Sequence, residues 1–150
     1  MSIFKKISNL ISATPEKAAP KLSIEEAVAG LMFEVALLDQ DFAEAEQQTL
    51  LTCLGDAFDM NATECQTLLD QVQERERTKA GVHPLVKLLN KQLDENQRFE
   101  VMVRIWQVVL ADGRIADIEK QFMRRLAALL HISDRDSGLA RVEAQSVASS

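Results

Sequence analysis

The sequence predicts an all-α protein, a compact multi-helix bundle of two pseudo-symmetric halves. Three observations carry this expectation. Apolar residues recur at helical spacing along most of the chain, and capping residues precede several of these runs. An acidic turn, Ala111-Asp112-Gly113-Arg114-Ile115-Ala116-Asp117-Ile118-Glu119, also has a paler copy at Leu38-Asp39-Gln40-Asp41-Phe42-Ala43-Glu44-Ala45-Glu46. A chain of 150 residues with 47% hydrophobic and 27% charged residues is long enough to bury one core.

Residues 2–12 place Ile3, Phe4, Ile7, Leu10 and Ile11 at helical spacing beside Lys5 and Lys6. This short amphipathic segment would pack back onto the domain, fray, or make a weak contact with an anionic membrane surface. Residues 12–21, with Pro15, Pro20 and several alanines, read as a linker. The expected organisation is therefore an N-terminal segment and linker over 1–22, a helical domain over 23–144 and a flexible tail over 145–150.

Ser23 and Glu26 make a capping box, so the first main helix begins there. From Ala27 to Leu38 its only charged residue is Glu34, which predicts a helix buried in the middle of the bundle. A second helix, from about Ala43 to Asp59, carries Leu50, Leu54, Ala57 and Phe58 on one face. Asn61 and Glu64 offer another capping box, followed by Cys65, Leu68, Leu69 and Val72. That third helix runs into the charged residues 73–79, expected to be a solvated end, and stops at Gly81. Pro84 suits the first turn of a short helix carrying Leu85, Leu88, Leu89 and Leu93.

The segment from Asp94 to Arg98 starts a second central helix, whose polar stripe is Glu100, Arg104 and Gln107. After the Asp112 turn, Ile118, Phe122, Met123, Leu126, Leu129 and Leu130 are expected to face inward. His131 stands at that helix's end, where its imidazole would bond the last carbonyls. Ser133 caps a final short helix carrying Leu139 and Val142, and from about Gln145 there is little apolar content to hold the chain down.

The net charge of −6 excludes broad electrostatic binding to nucleic acid, which needs a clustered basic surface. Lys120, Arg124 and Arg125 form only a small local patch. Cys53 and Cys65 lack metal-ligand spacing and read as reduced core residues of a cytoplasmic protein. No apolar run approaches the roughly 20 residues of a membrane-spanning helix.

Shifting the first half so that Asp39 falls on Asp112 also puts Phe42 on Ile115, Glu44 on Asp117, Glu46 on Glu119, Phe33 on Trp106 and Val35 on Val108. Both the buried helix and the acidic turn are matched, so a closed domain of two related halves is expected. An apolar helix, then Ala111-Asp112-Gly113, Ile115 and Glu119, then Leu129-Leu130, Ile132 and Ser133, resembles the tellurite-resistance TerB-like family, which includes the N-terminal domain of DjlA-type co-chaperones. Glu34-Val35-Ala36-Leu37-Leu38-Asp39 with Phe42 and Glu46, and the segment ending in Leu88-Leu89-Asn90, are similar to it as well. The resemblance covers about residues 23–143. It implies a compact all-helical fold of two pseudo-symmetric halves, acidic residues proposed to bind metal, and links to tellurite resistance and stress responses. The first turn departs from it with Gln40 where the family often has glycine. No J-domain sequence is present, so a co-chaperone role is not implied.

Two readings of the acidic motif stand. In the first it is structural: Asp-Gly makes a sharp turn, Glu119 satisfies an amide at a helix start, and Asp117 favours the first turn through the macrodipole. In the second it binds a cation. Ala116 and Ala43 have no oxygen with which to cap, and Asp39 and Asp112 lie at helix C-termini, where the macrodipole disfavours an anion. The candidate metal ligands are Asp112, Asp117, Glu119, Asp39, Asp41 and Glu46, an oxygen set that suits Ca²⁺ or Mg²⁺ better than Zn²⁺.

The spacing is not that of an EF-hand, and no Gly-rich phosphate loop, nucleophile elbow or reactive Cys–His pairing is present. The expectation is a non-enzymatic interaction module in a cytoplasmic stress setting, with protein partners and no nucleic acid. The alternatives are a peripheral scaffold at the inner membrane surface using residues 2–12 and, more weakly, a metal-dependent phosphoesterase.

Overall fold

The computed structural model describes residues 22–38, 44–78, 80–111 and 115–149. Seven helices occur among the described residues: α1 Ile24–Ala36, α2 Glu44–Phe58, α3 Ala62–Glu76, α4 His83–Gln92, α5 Glu95–Leu110, α6 Asp117–Leu129 and α7 Asp134–Ser149. The amphipathic segment 2–12 and its linker lie outside the described residues.

The near absence of charge after Glu26 makes α1 the central element. Ala27, Val28, Ala29, Leu31 and Met32 are fully buried, and α2, α3, α4 and α5 all pack on it. Gly30 lets α4 come close, since a Cβ there would stand 2.8 Å from Leu85 Cδ1. The second central helix, α5, buries Val101, Met102, Val103, Ile105, Trp106 and Val109 against α1, α2 and α7.

The shift that places Asp39 on Asp112 also carries Glu44, the start of α2, onto Asp117, the start of α6, and Glu76, the end of α3, onto Ser149, the end of α7. α3 packs on α1 and α2 as α7 packs on α5 and α6, whereas the contact of α1 with α2 has no counterpart of similar extent between α5 and α6. Phe33 and Trp106, matched by the shift, are both buried.

Helix ends follow local hydrogen bonding. Ser23 Oγ accepts from the Glu26 amide at 3.0 Å, but the Glu26 carboxylate accepts from Arg75 Nε at 2.9 Å, an ion pair between α1 and α3. Asn61 with Glu64 and Asp94 with Gln97 each form a full capping box. The α2 and α6 C-termini both close with a residue at positive φ, Asp59 at 56° and His131 at 61°. At α6 the Ile132 amide donates to Ala127 O at 2.8 Å and the His131 amide to Ala128 O at 3.1 Å. This paired arrangement is the Schellman motif, usually completed by glycine. The backbone of His131, rather than its imidazole, therefore ends the helix.

Five expectations are corrected. The charged residues 73–79 are not simply a solvated end, because Arg75, in the last turn of α3, pairs with Glu26 of α1 at 2.9 Å. That helix also stops at Glu76, before Gly81 with its φ of 77°. Ile118 is 48% exposed, since its neighbour Glu119 takes the inward position on α6 with Met123, Leu126 and Ala127. On α7, Leu139 and Val142 are exposed and Ser137, Ala140 and Ala144 are buried. Small residues three and four apart let α7 lie close against α5, leaving the larger side chains outside. α7 is also long rather than short, running over Asp134–Ser149.

Candidate acidic-turn site

The acidic turn joins α5 to α6. α5 runs to Leu110, with Ala111 donating its amide to Val108 O at 3.3 Å, and α6 resumes at Asp117. Asp112 lies in the undescribed residues 112–114 between them. Asp39 and Asp41 of the first turn lie outside the described residues too, and for Glu46 only the backbone, within α2, is described.

Glu119 is the candidate ligand with the most defined position. The residue is 9% exposed, and its Oε1 accepts from the Ala116 amide at 2.8 Å. In return, Ala116 O accepts from the Glu119 and Lys120 amides at 3.0 and 3.1 Å. Ala116 contributes no side-chain acceptor, so one half of a capping box is present and its other half is replaced by a backbone bond. An anionic carboxylate is favoured there because the first amides of α6 and its macrodipole point at it. Asp117, two residues earlier, is exposed. Among the described residues, no three His, Cys, Asp or Glu side chains gather closely enough to hold a metal.

Two polar residues that spacing alone did not single out tie the other end of α6 to the core. Asn90 Nδ2 donates to Leu129 O at 2.9 Å, and Arg98 donates from Nε to Leu130 O at 3.0 Å and from Nη1 to Leu93 O at 2.7 Å. The final carbonyls of α6 are thus held from α4 and α5. An open cleft of about 370 Å³ lies beside them, lined by Glu95, Asn96, Phe99, His131, Ile132 and Asp136.

The cysteines are poor nucleophiles here. Burial first, then the Asp56 charge, pushes the Cys53 thiol up to about 11, and burial raises Cys65 as well. Trp106, the single tryptophan, donates Nε1–H to Ser137 Oγ at 3.3 Å, and the Arg141 guanidinium lies 5.5 Å from its ring centre. Among the described residues no helix is long and apolar enough to cross a membrane.

These features define an all-helical domain whose second half opens on an acidic helix-to-helix turn. The family model described as tellurite resistance protein TerB matches residues 25–142, and the chain belongs to that family. No curated protein and no solved structure gives a significant match.

Proposed function

We propose that the chain is a non-enzymatic helical interaction module that binds a divalent cation, Ca²⁺ or Mg²⁺, at its second acidic turn, within a cytoplasmic stress-related assembly of the tellurite-resistance kind. The observation that carries the cation reading is the buried carboxylate of Glu119 in the first turn of α6, which also holds the exposed Asp117. Asp112 would complete an all-oxygen set, which suits a hard cation. The weakly nucleophilic Cys53 and Cys65 favour binding over catalysis. The net charge of −6 favours protein partners over nucleic acid.

Titration calorimetry with Ca²⁺ and with Mg²⁺ tests this on the wild type and on Asp112→Asn and Glu119→Gln variants. Glutamine keeps an oxygen for the Ala116 amide while removing the charge, so the cap survives and the cation affinity should not. Saturable heat lost in both variants is the expected result. Equal heats in wild type and variants, or no heat at millimolar cation, would remove the site.

A further inference from the structure

A groove of about 310 Å³ runs along α3 beside the start of α1. It follows one face of α3 from Thr63 to Gln71, about 12 Å of helix. The buried Leu68 and the half-buried Met60 give it an apolar floor, and Thr67 stands exposed along it. The charged residues of the lining are Glu25 and Glu64, both acidic. Glu64 Oε1 accepts from the Asn61 amide at 2.9 Å, a bond that leaves the carboxylate its charge. Ser23, whose hydroxyl caps α1, also lines the groove, so the chain that precedes α1 starts at the groove's edge.

That preceding chain carries a stretch of matching length and opposite charge. Ile3, Phe4, Ile7, Leu10 and Ile11 follow helical spacing over as many residues as separate Thr63 from Gln71, again about 12 Å. The charged residues of 2–12 are Lys5 and Lys6, both basic. At helical spacing Lys6 falls at the edge of the apolar stripe and Lys5 on the far side. Residues 13–22, ten in number, reach at most about 33–36 Å, well beyond the length of the groove, so the stretch can fold back onto α3. Pro15 and Pro20 interrupt any continuous helix into α1.

We propose that the groove between α3 and the start of α1 is the docking site of the chain's own residues 2–12, with the apolar stripe on Met60 and Leu68 and Lys6 toward the acidic rim of Glu25 and Glu64.

Tethering favours this occupant over a separate molecule. A short linker holds the segment at an effective concentration on the order of millimolar, so a contact too weak to form between free partners is populated within one chain. An anionic membrane surface competes poorly, because the net charge of −6 and the acidic rim both oppose its approach. Docking covers the same apolar stripe that a membrane would take up, so the two uses exclude each other. The device lies in the first half of the fold and needs no cation at the second acidic turn.

The test is a methyl and aromatic NOE experiment on the full, isotope-labelled chain, as wild type and as Lys6→Glu and Thr67→Arg variants. Thr67 is exposed on α3, so arginine there keeps the helix while bringing a cation into the groove. NOEs from Phe4, Ile7 and Leu10 to the Met60 and Leu68 methyl groups are expected in the wild type, weakened in Lys6→Glu and lost in Thr67→Arg. Unmoved amides in α5 and α7 would show that the variants remain folded. An absence of NOEs between segment and groove, NOEs to another face, or NOEs undiminished in both variants would overturn the proposal. So would contacts found only between copies in a mixture of labelled and unlabelled chains, which would give the groove to a second molecule.

Discussion

At Ala116 the amide that begins α6 is held by a side chain three residues further on, so Glu119 is first a structural residue. Replacing it with alanine should cost about 0.5–2 kcal/mol in urea unfolding, whereas Glu119→Gln should retain most of the stability. This pair of variants separates the cap from the charge, which the cation hypothesis alone requires. His131 makes the opposite case. It occupies a left-handed conformation at 61° that costs an L-residue roughly 1–2 kcal/mol, and glycine would not bear that cost. His131→Gly should therefore stabilise the protein by about 1 kcal/mol, and a fall in the thermal midpoint would show that the imidazole makes a contact of greater value.

At the scale of elements, α7 shows how a helix with weak apolar content is held. Ala140 and Ala144 are fully buried against the core while Val142 is 60% exposed. Ala144→Leu should cost about 1–3 kcal/mol by overpacking, while Val142→Ser should change stability by less than about 0.5 kcal/mol, both read from chemical denaturation. Equal effects would mean that the two faces of α7 are not distinguished as described. Apolar spacing pointed to Leu139 and Val142 because periodicity weighs large residues and passes over alanines, which pack by letting backbones approach. The same bias placed Ile118 inside and hid Glu119, whose inward position depends on a local hydrogen bond. Where one residue type dominated, as in α1, or a cap stood clearly before a run, as at Asn61, the sequence was legible to within a residue or two.

Over the whole molecule, α1 and α5 form the interior and the remaining helices cover them, a consequence of two long stretches in which charge is confined to single positions or a narrow stripe. The repeated acidic motif was readable as a pattern, and the matching spans of α2 with α6 and of α3 with α7 follow it. Tertiary pairs were not readable. Glu26 with Arg75, Asn90 with Leu129, and Arg98 with Leu130 join positions far apart in sequence, and no local spacing marks them. The central claim concerns the turn before α6. It is tested most directly by amide NMR of the labelled protein titrated with Ca²⁺ and Mg²⁺, repeated on the Asp112→Asn, Glu119→Gln double variant. Saturable shifts centred on residues 111–119 and lost in the double variant are predicted; unchanged amides at millimolar cation, or shifts that survive in the variant, would contradict the cation site and leave the turn as a helix cap.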